Sequence, residues 1–274
     1  MRLGGYVIHG NSAATLPACL DSLTAICDDV VAVDSQSTDV SAEITRTRGI
    51  RSINTPWRGY GAARSEAVKL LGDFDYLFFL DADEWVEPES LQKLKAWKQS
   101  SPSLPLYTVR RRNWVSLPYK RFLFFKDTRA RLVRKDAAIW KPEMIVHEAL
   151  PKLPSQASGA LIEHTFATSV EDRAAKDDRY ALLWALRANA EGRHSKNPAL
   201  EKSAHLFRNL FIHGALFRGG SEGAQLAKAV ARYHSRKYEY LAAIRRGEHA
   251  ELQKAFGARD YERVFQLVSR EPVP

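Results

Sequence analysis

One stretch of this sequence limits the choice of fold more than any other, because an apolar run ends abruptly on acids. Residues 76–80 are Tyr-Leu-Phe-Phe-Leu, and Asp81, Asp83 and Glu84 follow almost at once. A short run of large apolar residues bounded by charge is typical of a strand buried on both faces, as in parallel sheets. Ligands of open α/β sheets bind at the carboxyl ends of the strands. The run therefore predicts an α/β fold with a site at this strand end.

A second apolar run ends in the same way. Residues 30–33 are Val-Val-Ala-Val, and Asp34 follows them. Two parallel strands that each finish in an aspartate would place two acids along one edge of the sheet. In extended geometry Asp81 and Asp83 share a face, and such oxygen donors suit a divalent cation bound to phosphates. A solvated acidic turn is the alternative interpretation of an isolated pair of this kind.

The order of the predicted elements indicates how the chain is organised. Apolar runs and helical periodicities alternate as strands at 5–9, 30–34, 50–54 and 76–80 and helices at 14–26, 40–48 and 61–71. This order predicts a mostly parallel, Rossmann-like sheet flanked by helices on both sides. Further strands, separated by irregular stretches, are expected at 106–112, 130–134 and 160–164. From Val170 onward the pattern is helical, so we predict an α/β domain over 1–168 and a helical extension over 169–274.

Size and cysteine content narrow the class of protein. The chain has 274 residues, 45% of them hydrophobic, which suffices for one α/β core and a smaller C-terminal element. Cys19 and Cys27 show no metal-binding spacing and predict no disulfide framework, which favours a reducing compartment. The apolar run at the N-terminus is too short for a secretory signal, and no run is long enough to span a bilayer. The expectation is a cytoplasmic protein.

The formal net charge of +9 arises beyond residue 100, because acidic residues outnumber Lys and Arg before it. A basic surface attracts nucleic acid, phosphorylated substrates or anionic lipid. One hypothesis is therefore a basic nucleic-acid-binding α/β protein. Such a protein needs exposed aromatic side chains along a basic groove, whereas most aromatic residues here lie in apolar strands or helical stripes. We therefore expect no nucleic-acid partner.

Several segments, in the right order along most of the chain, together resemble a known family. Residues 33–39 resemble the V-D-S-G-S-T-D signature, and residues 80–84 match the L-D-A-D-E signature, of family 2 glycosyltransferases with the GT-A fold. More narrowly, the chain resembles the branch that glucosylates the lipopolysaccharide inner core. The segments that carry this narrower resemblance are 58–61, 131–134, 146–148, 161–164 and 217–223.

Two segments depart from the family pattern. Ala63-Arg64-Ser65 stands where the family has a Gln-Arg/Lys-Asn triplet, so an amide contact is missing there. The first strand leads into His9-Gly10-Asn11-Ser12, where the family has Lys-Asn-Glu. Both departures weaken any transfer of donor specificity from the family to this chain.

The resemblance implies roles in binding a nucleotide-sugar donor and a divalent cation, Mg²⁺ or Mn²⁺. Asp34 would bond the base or ribose of the nucleotide, and capping of the following turn is the alternative role for this residue. The full set of implied donor contacts is Asp34, Ser35, Asp39, Arg64, Asp81, Ala82 and Asp83. The cation would be held by Asp81, Asp83 and His164, and would activate the diphosphate leaving group. A hydrogen-bonded structural histidine is the alternative for His164.

The resemblance also implies a base that takes the proton of the attacking hydroxyl. Glu148 is the leading candidate and Asp127 the runner-up, and a surface ion pair is the alternative role for Glu148. Acceptor or phosphate contacts are assigned to Arg131, Arg134 and His147. Strand alternation predicts that Arg110 and Arg112 share a face that Arg111 does not. Solvated strand charge is the alternative role for each of these arginines.

The function that follows is an inverting transfer of a sugar, with UDP-glucose as the favoured donor and a heptose of the lipopolysaccharide core as the favoured acceptor. The enzymatic alternative is transfer to another cell-surface polysaccharide or lipid carrier. A degenerate protein that only binds ligands is disfavoured, because both aspartate motifs are intact. Residues 203–218 are predicted to form an amphipathic helix that either contacts anionic lipid on the inner face of the cytoplasmic membrane or packs as core.

Overall fold

The computed structural model describes residues 1–146 and 148–270. The strands are β1 (Leu3–His9), β2 (Asp29–Asp34), β3 (Arg51–Asn54), β4 (Tyr76–Asp81), β5 (Glu84–Trp85), β6 (Leu106–Leu117), β7 (Lys120–Arg134) and β8 (Ser155–Ala167). The helices are α1 (Leu16–Thr24), α2 (Ser41–Thr47), α3 (Tyr60–Leu70), α4 (Pro88–Gln99), α5 (Val170–Ala190), α6 (Pro198–Phe207), α7 (Ala215–Arg245), α8 (Ala250–Gly257) and α9 (Tyr261–Arg270).

The chain divides into two compact units. Unit 1 comprises Met1–Arg112, Lys126–Met144 and Glu148–Thr165, and unit 2 comprises the remaining described residues. This division assigns parts of β6, β7 and β8 to each unit. The division of the sequence into 1–168 and 169–274 stays a prediction.

The strands form one eight-stranded sheet with the order β3-β2-β1-β4-β7-β6-β8-β5. Strand β1 pairs in parallel with both β2 and β4, and β2 pairs in parallel with β3. Strand β7 is antiparallel to β4, and β5 is antiparallel to β8. The prediction of an α/β fold with a parallel sheet is therefore confirmed for the first four strands, and the remainder of the sheet is mixed.

Alternate residues of the inner strands face two separate apolar layers in unit 1. Leu3 and Val7 of β1 pack in one layer with residues of α1 and α4. Tyr6 and Ile8, on the other face of β1, pack in a second layer with residues of α3. Because both faces of the sheet are covered, the inner strands are apolar at almost every position, which is why they were recognisable in the sequence.

Two sequence-based expectations about these elements were wrong. The strands expected at 106–112, 130–134 and 160–164 are much longer, and β6 and β7 are separated only by Pro118 and Tyr119 rather than by an irregular stretch. The amphipathic helix expected at 203–218 is interrupted. Helix α6 ends at Phe207, a π-helical turn follows over Arg208–Ile212, and Gly214 takes a left-handed conformation with φ 65° before α7.

Unit 2 has its own apolar core. Within it, two segments of helix α7 lie in close contact at Gly223. Buried residues include Phe124 of β7, Ala167 of β8 and Leu226 of α7. A Cβ atom at Gly223 would lie 2.0 Å from the carbonyl oxygen of Ala215, so only glycine fits there. None of the helices in the described part of the chain has the length and hydrophobicity that crossing a bilayer requires.

Candidate active site

The carboxyl ends of the parallel strands bring polar side chains to one edge of the sheet in unit 1. His9 of β1 is in register with Asp34 of β2, which is in register with Asn54 of β3. On the other side of β1, Ile8 is in register with Asp81 of β4. The predicted common edge for Asp34 and Asp81 is confirmed. With β1 between them, their strands are about 10 Å apart.

Arg64 of α3 joins two acids that are far apart in the sequence. Its Nη2 donates to Asp81 Oδ1 over 2.6 Å, and its Nε donates to Glu148 Oε1 over 2.8 Å. The side chain is almost completely buried, with 1% of its surface exposed. Its guanidinium carbon lies 4.9 Å from the ring centre of Phe79 and 5.1 Å from that of Trp140, so aromatic faces support it.

Arg131 of β7 holds the other oxygen of Asp81. Its Nη2 donates to Asp81 Oδ2 over 2.5 Å and to Glu84 Oε1 over 2.6 Å. Glu84 is buried, with 1% of its surface exposed, and its Oε2 accepts the backbone N–H of Asp81 over 3.0 Å. Both oxygens of Asp81 are therefore occupied by guanidinium groups, and Glu84 fixes the backbone at the end of β4.

Arg111 of β6 continues this set of ion pairs. It donates through Nε and Nη2 to the two oxygens of Asp127 over 3.0 and 2.8 Å, and through Nη1 to Glu84 over 2.8 Å. Arg129 also contacts Asp127 Oδ2 over 2.8 Å. Arg111 is buried, whereas Arg110 is exposed, so the predicted alternation of these arginines is confirmed.

These contacts form one continuous chain of alternating charges, which we call the ion-pair network. Its members are Glu148, Arg64, Asp81, Arg131, Glu84, Arg111, Asp127 and Arg129. Four carboxylates are balanced by four guanidiniums, which is how so much charge is tolerated in a mostly buried position. Each acid is thereby fixed in place before any substrate binds.

The network sets the protonation states of its members. Burial by itself raises the pKa of the Asp81 carboxyl, but the guanidiniums of Arg131 and Arg64 outweigh burial and hold that pKa well below the ordinary range. Burial lowers the pKa of Arg64, and Glu148 and Asp81 more than reverse that effect. Asp81 and Arg64 therefore both remain charged at neutral pH.

Asp83 lies outside the ion-pair network and faces His164. Its Oδ2 is 3.5 Å from His164 Nε2, and its carbonyl oxygen accepts the N–H of Thr165 over 2.9 Å. The antiparallel pairing of Glu84 with His164 brings these two segments together. Ala82, between the two aspartates, is partly buried. Of the three predicted cation ligands, Asp83 and His164 are neighbours, and Asp81 is held by arginines instead.

The loop after β2 is organised around Asp34 and Asn11. Asp34 Oδ1 accepts from both the N–H and the hydroxyl of Ser37, over 2.9 and 2.6 Å, which is the turn-capping contact. Asn11 Oδ1 accepts the N–H of Thr38 over 2.7 Å, and Asp39 Oδ2 accepts the N–H of Ala13 over 3.1 Å. These bonds tie the loop after β2 to the loop after β1.

Two oxygen atoms in this loop have no hydrogen-bond partner among the described residues. Asp34 Oδ2 accepts no hydrogen bond from the described residues, although Asp34 is only 3% exposed. The hydroxyl of Ser35 is buried and likewise has no partner in the described chain. The turn-capping role of Asp34 is therefore observed, and it leaves one carboxylate oxygen without a partner in the described part of the chain.

One of the predicted contacts, Arg134, is not brought to this edge. Arg134 pairs with Tyr76 at the amino end of β4, the opposite end from Asp81, and its Nε bonds Asp136 over 2.7 Å. Five residues of strand put it about 16 Å from Asp81 along β4. Arg134 therefore lies away from this edge, and its assignment to acceptor or phosphate contacts stays a prediction. His147 lies outside the described residues.

Residues 7–149 match the family model described as glycosyl transferase family 2. The match covers more than half of the chain and includes both aspartate motifs, Arg64 and Glu148. The chain belongs to glycosyl transferase family 2. Asp34, Asp81 and Asp83 therefore lie within the part of the chain that matches the family. The mixed α/β sheet with flanking helices is of the GT-A kind.

Relatives of this family 2 chain cover only part of it. An uncharacterized glycosyltransferase of Rickettsia felis is 34% identical over 88 residues, which are 32% of this chain and 31% of that protein. A similar protein of Rickettsia bellii is 32% identical over 88 residues, or 32% of this chain and 30% of that protein. The chain spans about a third of the length of the curated relatives it matches.

Two solved structures resemble the family 2 chain at low identity. Glucosyl-3-phosphoglycerate synthase from Mycobacterium tuberculosis, in complex with Mn²⁺ and UDP-glucose, is 20% identical, with a TM-score of 0.35 over 40% of this chain and 44% of that chain. TarS 1-349 of S. aureus is 15% identical, with a TM-score of 0.41 over 90% of this chain and 92% of that chain.

The structure adds two residues to the site that were given no role on the basis of the sequence. Glu84 is the third acid of residues 81–84, and its complete burial was not foreseen. Arg111 was recognised only as one of a basic group, and its bonds to Glu84 and Asp127 were not. The signal for Arg111 was its position, because strand alternation already separated it from Arg110 and Arg112.

Proposed function

We propose that this chain transfers a sugar from a nucleotide-sugar donor to a saccharide hydroxyl with inversion at the anomeric carbon. The observation that carries the proposal is the bond of Arg64 to both Asp81 and Glu148, because it links the carboxyl edge of the sheet to a second acid, one of whose oxygens forms no hydrogen bond with the described residues. Family membership supports the reaction class. The donor is proposed to lie across the loop of Asp34 and the end of β4.

Glu148 is proposed as the base. Its Oε1 is held by Arg64, whereas its Oε2 forms no hydrogen bond with the described residues. Asp127, by contrast, has both oxygens bonded by arginines, which leaves it less able to accept a proton. In the reaction the acceptor oxygen bonds to the anomeric carbon, Glu148 Oε2 takes the hydroxyl proton, and the bond from that carbon to the diphosphate breaks. The diphosphate leaves with the electron pair.

A divalent cation, Mg²⁺ or Mn²⁺, is proposed to be held by Asp83 and His164, whose ligand atoms are 3.5 Å apart. That separation suits two ligands of one ion with bonds of about 2.1 Å. When bound, the cation supplies positive charge to the diphosphate as it leaves. Asp81 would then bond the donor sugar or ribose, with its charge secured by Arg64 and Arg131.

The donor is proposed to be UDP-glucose, and the acceptor a heptose of the lipopolysaccharide core or a related envelope glycan. Both choices rest on the resemblance of segments such as 131–134 and 161–164 to the inner-core branch. Transfer to another surface polysaccharide or to a lipid carrier is the alternative. Ala63 and Ser65, which depart from the family pattern, flank the proposed donor contact Arg64. They therefore bear most directly on which donor sugar the chain uses.

Contact with an anionic membrane surface is also proposed, with the chain in the cytoplasm on the inner face of the membrane. Large exposed apolar side chains are concentrated in one stretch of unit 2: Leu200, Phe207, Phe211, Ile212, Leu216 and Phe217. Lys202, Arg208 and Arg218 lie among them. Apolar bulk interleaved with cations is the composition that binds the interface of an anionic bilayer.

The experiment that tests the transferase is calorimetric titration of nucleotides and nucleotide-sugars with and without Mn²⁺. We expect one nucleotide diphosphate sugar to bind in a metal-dependent way, and D83A to abolish the metal dependence. E148Q should bind the donor as the wild type does, yet fail to transfer the sugar. If no nucleotide binds while nucleic acid binds tightly and in a salt-sensitive way, the proposal is wrong.

A further inference from the structure

Three side chains of the types that bind metal ions come together on two helices of unit 2. Glu201 and His205 are one helical turn apart on α6, and His234 lies on α7. Each offers one ligand atom, and these atoms all lie within 4.8 Å of one another. None of the three belongs to the ion-pair network or to the Asp83 and His164 pair.

The local sequence explains why these side chains meet. Asn197 caps α6 by accepting the N–H groups of Ala199 and Leu200, which fixes where the helix begins. Residues four apart on a helix share a face, so Glu201 and His205 point the same way. The ring of His205 then stacks on that of His234, with centroids 3.2 Å apart and planes within 6°.

The close stack of the two rings and the pKa of His205 both favour a neutral imidazole on α6, which is the form that binds metal. Two rings stacked so closely would repel strongly if both were charged. Burial, and then the neighbouring Arg208, lower the pKa of His205 to about 4, so this ring is neutral at physiological pH. All three side chains are only half-buried, which leaves a path for an ion from solvent. Neutral imidazole and ionised carboxylate are the ligand forms that bind divalent metals.

We propose that Glu201, His205 and His234 form a zinc site that ties α6 to α7. Two imidazoles and one carboxylate suit a borderline transition ion such as Zn²⁺, whereas Mg²⁺ requires oxygen ligands. Metal–ligand bonds of about 2.0–2.1 Å put tetrahedral ligand atoms about 3.4 Å apart. The cluster therefore needs to close by about 1.5 Å at most. Because an imidazole binds a metal in the plane of its ring, the two rings must also rotate out of their parallel stack so that their nitrogens converge on the ion. The fourth position is left to water.

Two cations bond side chains of this cluster. Arg208 Nη2 bonds His205 Nδ1 over 2.7 Å, and Lys196 Nζ bonds Glu201 Oε1 over 3.0 Å. Glu201 Oε2 nevertheless faces His205 Nε2 at 3.7 Å. Because Arg208 donates to Nδ1, the ring proton lies on Nε2, so an ion at Nε2 requires that proton to move to Nδ1 and the bond from Arg208 to break. Arg208 is also the first residue of the π-helical turn, and such turns are frequent at functional sites.

The test is titration of the chelator-treated full chain with Zn²⁺ by calorimetry, in an excess of Mg²⁺ that occupies hard oxygen sites. We expect one zinc ion per chain, and a visible absorption band of tetrahedral type when Co²⁺ replaces Zn²⁺. H205N and H234N should each weaken zinc binding by at least about 100-fold, and E201Q by at least about 10-fold. H194N, which changes an exposed histidine of the same unit, is the matched control and should bind zinc normally.

A variant that is expected to bind zinc more tightly tests the proposal even if the weakening variants fail to fold. R208Q removes the competing donor and a positive charge, so we expect it to bind zinc about 10-fold more tightly. Equal zinc affinity in the wild type, H205N and H234N would overturn the proposal. So would the loss of zinc binding in D83A, because that would place the ion at the active site.

Discussion

Arg64 is the residue on which the geometry of the candidate active site most depends, because one guanidinium bonds both Asp81 and Glu148. The substitution R64K keeps the charge, but a single ammonium group does not reproduce two bonds in fixed directions. We expect R64K to lower the free energy of unfolding by about 3 kcal/mol, the typical cost of breaking a buried ion pair, and to lower kcat by about 100-fold. Denaturant unfolding and steady-state kinetics measure the two effects.

The control for Arg64 is R110K, which makes the same exchange at an exposed arginine of β6. We expect R110K to unfold and to turn over as the wild type does. Equal behaviour of R64K and R110K would show that the two bonds of Arg64 are dispensable.

Glu148 and Asp127 differ in how many of their oxygens are already bonded, and this difference separates their roles. We expect E148Q to lower kcat by at least about 1000-fold, because it removes the proposed proton acceptor, with donor affinity unchanged. D127N should mainly lower stability, because Arg111 and Arg129 lose their partner. The check is single-turnover transfer together with donor binding for both variants. A larger catalytic loss in D127N would reverse the assignment.

At the scale of single residues, the sequence predicted which residues end the strands, but it did not predict which side chains form ion pairs with one another. Asp34 and Asp81 were predicted at one edge because each ends an apolar run, and the register confirms it. The bonds of Arg131 to Asp81 and Glu84 join residues about 50 positions apart. Such pairings depend on strand order, which no local pattern encodes. The proposed ligand and base roles stay predictions.

Among the elements, α3 is positioned by close contact at Gly61. Its N–H donates to the carbonyl oxygen of Met144 over 3.1 Å, and a Cβ atom there would lie 2.1 Å from the carbonyl oxygen of Lys141. We expect G61A to push residues 141–144 away, and with them Glu148, which follows shortly after. The free energy of unfolding should fall by at least about 2 kcal/mol, and transfer activity should fall with it.

The matched variant is G72A, because a Cβ atom at Gly72 meets nothing within 4 Å. It should unfold within about 0.5 kcal/mol of the wild type. Thermal and denaturant unfolding of both variants check the prediction. If G61A unfolds with the same free energy as the wild type, the 141–144 segment moves aside at little cost.

The parallel strands were predicted well because they are covered on both faces and are therefore apolar throughout. Strands β6, β7 and β8 were predicted too short, because polar and charged residues alternate along them. In β7 the buried Phe122 and Phe124 are followed by half-exposed or exposed residues up to Arg131. Such a pattern resembles a loop unless the partner strands are known.

The charge of the whole molecule and its exposed apolar stretch make a joint prediction about membranes. Basic residues attract an anionic bilayer, and Phe207 and Phe217, which are 59% and 77% exposed, would enter its interface. We expect the chain to pellet with anionic vesicles at low salt and to be released at high salt. F207S and F217S should each weaken vesicle binding by about 10-fold, because each removes one phenyl ring that would be buried in the bilayer interface.

V40S is the control for vesicle binding, because Val40 is 60% exposed but lies in unit 1, outside the apolar stretch. It should pellet as the wild type does. A protein that stays in the supernatant with anionic vesicles at low salt would contradict the membrane proposal. It would leave the proposed transfer of sugar untouched, because that rests on unit 1.

The ion-pair network has a consequence for how related chains diverge. Because Arg64, Glu84, Arg111 and Arg131 are buried in the network, the loss of any one of these four leaves an uncompensated charge that costs several kcal/mol. Substitutions at these positions should therefore be correlated among homologues. A homologue without the arginine at position 111 should also lack the acid at 127, and paired replacements should outnumber single ones across the family. The network would then be visible as coevolution between positions that no sequence motif connects.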